Sequence, residues 1–177
     1  RLHALGLVRL HEDTEALRAA VAAERIDGAA ITAATNDEAR ELNTLIREDR
    51  VRAGAVDDAR TIDGADGLSI GAGDLIQTRR NDSEMGVANR QTWIVQGADD
   101  EGDVWVLPAG AVGRRTSRRL PAAYVAEHVH LAYASTAYGV QGATSEVAHA
   151  LVNSPTSGAF ESLGLDAAGI YVGLTRG

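Results

Sequence analysis

The stretch that decides the fold class covers residues 28–54 and reads GAAITAATNDEARELNTLIREDRVRAG. Residues 28–34 form a short apolar run, which predicts a buried strand. Thr35 or Asn36 can then act as the N-cap of a helix. That helix is predicted to reach about Arg52, to stop at Gly54, and to bury four residues: Ala39, Leu42, Leu45 and Ile46. A strand, a cap and a helix in this order indicate an α/β fold.

The pattern of the chain changes near residue 57 and changes back near residue 124. Between these points short alternating segments, separated by Gly and Asp turns, predict strands over 74–78, 91–95 and 104–107, with a hairpin loop over 97–103. We therefore expect a small SH3-like β-barrel, with Trp93 and Trp105 in its core. The predicted division is 1–56 and 125–177 for an α/β domain, with 57–124 as its insert.

Outside the insert, the remaining elements follow from the same periodicity arguments. A helix is predicted over 14–25, after an acidic start that suits a helix N-terminus. Strands are predicted over 129–134, 147–152 and 170–174, and a short helix over 165–168. His128 and His130 would then lie two apart on one strand, facing one side. A metal site needs a third ligand, and none is obvious, so core or surface positions are the favoured interpretation.

The composition excludes several classes of function. All 17 basic residues are Arg, so the chain lacks the Lys of a phosphate-binding P-loop and should not hydrolyse ATP alone. It has no Cys, which removes disulfides and thiolate metal ligands. A net charge of −8 opposes duplex binding by the whole surface but leaves room for a local basic groove. No long apolar run is present, so we expect a cytoplasmic protein without a membrane partner.

A polar loop punctuated by Gly follows the predicted strand 129–134. Residues 133–144 read YASTAYGVQGAT. Gly139 and Gly142 allow a ligand to approach the backbone closely, and Thr136, Gln141 and Thr144 add short hydrogen-bonding groups to the same loop. Such groups can hold phosphodiester oxygens without reading base sequence. An ordinary polar loop before a helix is the alternative interpretation.

A second segment, YVGLTRG over 171–177, brings Arg176 to the end of a predicted strand. The carboxyl edge of an open α/β sheet is where such folds bind ligands. A guanidinium there can stabilise the charge of a transferring phosphoryl group. Taken alone, Arg176 is more readily explained as an exposed arginine with no role.

Together the two segments resemble motifs V and VI of superfamily 1B (RecD-like) helicases. The similarity is closest to TraA-like conjugative relaxase-helicases of the MobF type. AATNDEARELN over 33–43 resembles the motif IV region, which opens the second RecA-like domain of that family. GDLIQTRRND over 73–82 and GVANR over 86–90 resemble its barrel insert. The resemblance implies the C-terminal, RecA-like lobe of an ATP-dependent DNA helicase, moving 5′ to 3′ on DNA.

The resemblance also implies roles for individual residues. Arg176 would be the arginine finger on the γ-phosphate, with Gly142 and Thr144 near the nucleotide. Contacts to single-stranded DNA would come from Thr35, Asn36, Thr136 and Gln141. Tyr138 stands where the family commonly has His, and it can stack on a base. Gly139 replaces a frequent Lys, so a possible cationic contact is missing at this place. Thr144 replaces a frequent Glu, which weakens the expected ribose contact.

The predicted insert adds further candidates for DNA contact. Asn81 and Asn89, with the arginines at 79, 80 and 90, can line a channel for the strand. A solvated turn, with Asn chosen for left-handed backbone geometry, is the alternative.

The expected cofactors are ATP and Mg²⁺, both bound by the longer protein and neither by this chain alone. The expected partners are single-stranded DNA, the N-terminal helicase lobe of the same protein and the conjugation machinery. Two alternatives remain open: a non-catalytic helicase lobe that binds DNA or a partner, and an unrelated nucleotide-binding α/β domain.

Overall fold

The computed structural model describes residues 30–33, 35–109, 116–136 and 148–150, with the backbone alone at residue 30 and at 148–150. The predicted elements at 14–25, 165–168 and 170–174 lie outside these residues. The described elements, in chain order, are β1 (Ala30–Ala33), α1 (Asn36–Arg52), β2 (Asp57–Asp63), β3 (Ser69–Ala72), β4 (Leu75–Thr78), β5 (Thr92–Ala98), β6 (Val104–Pro108), β7 (Arg118–Leu120), α2 (Ala122–His128), β8 (Val129–Leu131), β9 (Ala134–Thr136) and β10 (Ala148–Ala150).

Three strands form a parallel sheet in the order β10-β1-β9. Ile31 pairs with Ala134 on one side of β1 and with His149 on the other. Parallel neighbours require long crossover connections, and most of the described chain lies between β1 and β9. A mixed α/β fold is therefore confirmed.

The first helix begins and ends where the sequence predicts. Thr35 is the N-cap, and its hydroxyl accepts a hydrogen bond from the Glu38 amide at 3.1 Å. After the helix, Gly54 takes a left-handed conformation with φ of 72°. Ala39, Leu42 and Ile46 are buried as expected, but Leu45 is exposed. Positions 39, 42 and 46 follow the helical repeat of one face, and position 45 falls outside that face.

An antiparallel part occupies the chain between α1 and β9. Five strands form one sheet in the order β7-β6-β5-β4-β8, and β2 and β3 form a two-stranded sheet that contacts β5. The strands predicted over 74–78, 91–95 and 104–107 are confirmed, and the described residues contain no helix between 75 and 107. The core of this part consists of aliphatic residues with one tryptophan and one tyrosine: Ile70, Ile76, Val87, Trp93, Val95, Val104, Val106, Leu120, Tyr124, Val125, Val129 and Leu131.

The return from the antiparallel sheet to the parallel sheet differs from the prediction. The single strand expected over 129–134 is two strands, because β8 pairs with β4 and β9 pairs with β1. The chain changes sheets at Ala132 and Tyr133, within an apolar run that looks continuous in sequence. A helix missed by the sequence analysis, α2, precedes β8, and the predicted division at 124/125 falls inside it.

His128 ends that helix and His130 lies on β8, so the prediction that both lie on one strand is wrong. The described residues contain no group of three or more His, Asp or Glu placed to hold a metal ion. Within the same part of the chain, no helix is long and apolar enough to cross a membrane.

The two tryptophans have opposite environments. Trp93 is 1% exposed, and its indole nitrogen donates to the Thr78 hydroxyl at 3.3 Å. Trp105 is 44% exposed, so the prediction that it fills the core is wrong. Its strand neighbours Val104 and Val106 are buried, and alternation along β6 turns Trp105 to the other face.

We expect Trp93→Ala to lower the free energy of unfolding by about 3–5 kcal/mol, because it removes a large side chain from a closed core. Trp105→Ala is the matched control and should cost about 1 kcal/mol or less, since that indole is largely solvated. Urea unfolding followed by circular dichroism measures both. Equal losses in the two variants would contradict the assigned faces of the sheet.

Candidate functional site

Two of the segments predicted to contact DNA meet at one edge of the parallel sheet. Ala33 at the carboxyl end of β1 pairs with Thr136 at the carboxyl end of β9. Thr35 and Asn36 follow β1 directly, so they lie at the same edge as Thr136. Adjacent strands are about 4.8 Å apart, which places these residues within reach of one bound chain. Thr136 is partly exposed, and Thr35 and Asn36 are exposed.

Thr35 at this edge already has a structural role. Its hydroxyl caps α1, so the same oxygen cannot be assigned to a ligand without cost to the helix. Asn36 is the first residue of α1 and has an exposed side chain. The predicted residues Tyr138, Gln141, Gly142, Thr144 and Arg176 lie outside the described residues.

Asn81 and Asn89 lie together at a different place, on either side of a tight turn. The backbone amide of Asn89 donates to Asn81 Oδ1 at 2.8 Å, and Asp82 and Val87 form an antiparallel β-bridge inside the turn. Among the described residues, the non-glycine residue with positive φ is Arg90, at 66°. The alternative that Asn was chosen here for left-handed geometry is therefore wrong, because neither Asn adopts it.

Arginine charges lie close to one another beside this turn. Burial lowers the pKa of Arg79, the positive charge of Arg90 lowers it further, and Asp66 partly compensates. Arg79 Nε is buried, and no group among the described residues forms a hydrogen bond with it. Burial also lowers the pKa of His130, where Asp66 acts in the opposite direction and Arg79 adds to the lowering. Two neighbouring guanidinium groups favour the approach of an anion.

A cluster of buried and partly buried polar residues was not predicted from the sequence. We call it the Asp74 clamp, and it consists of Asn43, Arg47, Asp74 and Tyr133. Asp74 is fully buried. Its Oδ1 accepts from the Tyr133 hydroxyl at 2.6 Å, and its Oδ2 accepts from Arg47 Nε at 2.9 Å and from the Gly71 amide at 2.7 Å. The carboxylate, which follows the turn at Gly73, therefore joins helix α1, strand β3 and the residue before β9.

Asn43 holds the other side of the same crossover. Its Oδ1 accepts from the Ala134 amide at 2.8 Å, and its Nδ2 donates to the Ala134 carbonyl at 3.0 Å and the Leu131 carbonyl at 3.4 Å. The side chain thus replaces backbone partners where the chain leaves one sheet and enters the other. Buried backbone groups need such partners, because leaving them unpaired costs about 1–3 kcal/mol each.

The ionisation of the Asp74 clamp is set by its own contacts. Burial of Arg47 lowers the pKa of its guanidinium, but hydrogen bonds and charges from Asp58 and Asp74 outweigh this, so the pKa is raised. Burial raises the pKa of the Tyr133 hydroxyl well above its ordinary value of 10.0, and the negative charge of Asp74 raises it further. Tyr133 therefore keeps its proton and Arg47 its charge at neutral pH, and Arg47 Nε forms an ion pair with Asp74 at 2.9 Å.

Comparisons with known proteins find similarity in structure but no match to a family model or to a curated protein. No family model matches the sequence, and no curated protein matches it. Among solved structures, the chain is similar to unliganded Pif1 from Bacteroides sp., with a TM-score of 0.38 and 15% sequence identity over 71% of this chain. The chain spans 46% of that Pif1 chain, a little under half of its length.

The raised pKa of Tyr133 leads to a prediction about alkaline stability. The folded protein keeps this proton where an unfolded tyrosine loses it. The stability that this proton gives the folded state is therefore complete below pH 10.0 and declines as the pH rises above that value. We expect the free energy of unfolding to fall more steeply above about pH 10 in the wild type than in Tyr133→Phe. Urea unfolding at a series of pH values measures both slopes, and parallel curves would show that Tyr133 ionises normally.

Proposed function

We propose that this chain is the second RecA-like lobe of an ATP-dependent DNA helicase of superfamily 1B, with the antiparallel part as its SH3-like barrel insert. One observation carries the proposal. The motif IV-like and motif V-like segments, far apart in sequence, meet at the carboxyl edge of the parallel sheet through the pairing of Ala33 with Thr136. That edge is where open α/β sheets bind ligands.

In this proposal, the edge holds the backbone of single-stranded DNA. Thr136 and Asn36 offer neutral hydrogen-bonding groups, and Tyr138 and Gln141 extend the contact along the following loop. Neutral donors suit a moving strand, because they bind phosphate oxygens without reading the bases. The neighbouring charges of Arg79 and Arg90, with Asn81 and Asn89, would form a second contact on the insert.

The nucleotide would bind between this lobe and the N-terminal lobe of the same protein. ATP and Mg²⁺ would be held mainly by the other lobe, since this chain has no lysine for a P-loop. This lobe would supply Gly142 and Thr144 near the nucleotide and Arg176 on the γ-phosphate. Closure around ATP and opening after hydrolysis would move the strand.

The finer assignment rests on the sequence resemblance alone. The proposed longer protein is a TraA-like conjugative relaxase-helicase, located in the cytoplasm, moving 5′ to 3′ and working with the conjugation machinery on plasmid DNA. The second candidate is a non-catalytic helicase lobe that binds DNA or a partner protein. The missing lysine agrees with this candidate, because a non-catalytic lobe needs no P-loop.

We expect the chain to bind a single-stranded oligo-dT weakly, with affinity falling steeply as salt rises. Thr136→Ala should weaken this binding about 3- to 10-fold, the effect of one lost hydrogen bond. Thr61→Ala, an exposed threonine on β2, is the matched control and should bind as the wild type does. Fluorescence anisotropy measures all three proteins. Equal affinities in the two variants would remove the sheet edge from the binding site.

The catalytic assignment is tested in the longer protein. Arg176→Ala should lower the turnover of ATP about 10³- to 10⁵-fold while leaving strand binding nearly unchanged, because an arginine finger acts on charge that develops in the transition state. Arg176→Lys should restore little, since an ammonium group lacks the planar fork. Steady-state ATPase assays with saturating single strand measure this. Turnover near that of the wild type would leave the non-catalytic lobe as the better function.

A further inference from the structure

One face of helix α1 carries three polar residues that contact either the crossover between β8 and β9 or Asp74, which binds the crossover residue Tyr133. Asn43, Arg47 and Arg50 are spaced by four and three positions, so they lie on one side of the helix. Asn43 binds the backbone of Leu131 and Ala134, Arg47 binds Asp74, and Arg50 lies 5.4 Å from the centre of the Tyr133 ring. All three act at or beside the crossover between β8 and β9.

The polarity of this contact needs an explanation, because apolar packing would stabilise the interior at least as well. A buried ion pair is often replaced by hydrophobic residues without loss of stability. What a fully bonded polar network adds is one defined geometry, since each donor and acceptor has a fixed direction. Tyr133 illustrates this: its hydroxyl donates to Asp74 and accepts from the Leu75 amide at 3.3 Å, so displacement in either direction breaks a bond.

The position of Tyr133 gives this geometry a consequence for the candidate edge. Tyr133 directly precedes β9, and Thr136 lies three residues further, at the end of that short strand. Asp74 directly precedes β4, which pairs with β5 and β8 in the antiparallel sheet. The Tyr133–Asp74 hydrogen bond is thus a direct side-chain link between the antiparallel sheet and the strand that carries Thr136.

We infer that Tyr133 is a positioning residue: through Asp74 it couples the antiparallel sheet to β9 and sets where Thr136 stands at the edge of the parallel sheet. A displacement of the antiparallel sheet then moves Thr136, and a DNA strand bound at Thr136 restrains the antiparallel sheet. The use of this coupling in gripping DNA rests on the proposed function. The coupling itself does not, and it is measured separately.

The test compares two buried tyrosines that lose the same atom. Tyr133→Phe removes the hydroxyl that binds Asp74. Tyr124→Phe is the matched control, since Tyr124 is 9% exposed against 8% for Tyr133 and its hydroxyl donates to the Arg80 carbonyl at 2.5 Å. Amide hydrogen exchange by NMR, on the full chain without nucleic acid, follows the amides of β9 and those of β6. The Leu75 amide is left out because it loses its partner directly.

We expect exchange at Ala134, Ser135 and Thr136 to rise about tenfold in Tyr133→Phe, the effect of one lost buried hydrogen bond, with β6 unchanged. Tyr124→Phe should leave β9 as in the wild type. Two results would overturn the inference. A uniform rise in exchange over β6 and β9 in Tyr133→Phe would mean that the hydroxyl only stabilises the fold as a whole. No rise at β9 would mean that the hydroxyl does not act on β9. Asp74→Asn, which keeps the shape but weakens the bonds to Tyr133 and Arg47, should reproduce the local rise at β9.

Binding of oligo-dT to the same variants separates this inference from the proposed function. A several-fold loss of affinity in Tyr133→Phe, absent in Tyr124→Phe, supports both. A wild-type chain that binds no strand would remove the proposed function, while the exchange result still decides the coupling. If Tyr133→Phe binds oligo-dT as tightly as the wild type does, although exchange at β9 rises, the coupling does not serve to place Thr136 for binding. That part of the inference would then be overturned.

Discussion

The buried carboxylate of Asp74 is the interaction on which the arrangement of the described elements depends. Its two oxygens accept from helix α1, from strand β3 and from the crossover residue Tyr133, and its own backbone carbonyl accepts from the Val95 amide at 2.9 Å. The turn that presents it requires Gly73, whose φ is 92° and whose missing side chain would collide with the Ala55 carbonyl. A carboxylate without water is tolerated only when such donors surround it, so the pieces must come together in one way.

Helix α1 serves two sheets with two different surfaces. Its apolar face, with Ala39, Leu42 and Ile46, is buried in the same core as β1. Its polar face reaches the crossover and the turn before β4. The first surface is non-directional and contributes most of the burial, whereas the second is directional and fixes how the antiparallel sheet meets the parallel one. A helix with a single apolar face would provide the first without the second.

The sequence was a good guide where structure is decided locally. The helix 36–52, its Thr35 cap and its end at Gly54 follow from spacing and from the chemistry of one residue each. Strands rich in β-branched residues were also recognisable. Which face of a strand is buried was harder to predict, because Trp93 and Trp105 sit in similar patterns and only the pairing of strands distinguishes them.

The buried polar contacts could not be predicted from the sequence for a physical reason. Asn43 and Arg47 have the spacing of an ordinary solvated helix face, and their partners Ala134 and Asp74 are distant in sequence. Tyr133 and Ala132 lie in an apolar run whose change of sheet depends on those same partners. The pairing of Ala33 with Thr136, which brings Thr35 and Thr136 to one edge, was not predicted either, and the roles of the residues beyond Thr136 rest on the resemblance alone.

The long path between β1 and β9 has a consequence for the order of folding. The contact between Asn43 and Ala134 joins residues 91 positions apart, and closing so long a loop as a disordered chain loses entropy before any contact compensates it. The antiparallel part consists mainly of neighbouring strands joined by short turns, so it can form first and bring its own ends together. β1 and β9 are then already close to each other when they pair in the parallel sheet. Slowing the antiparallel part, for example in Trp93→Ala, should therefore delay the pairing of β1 with β9.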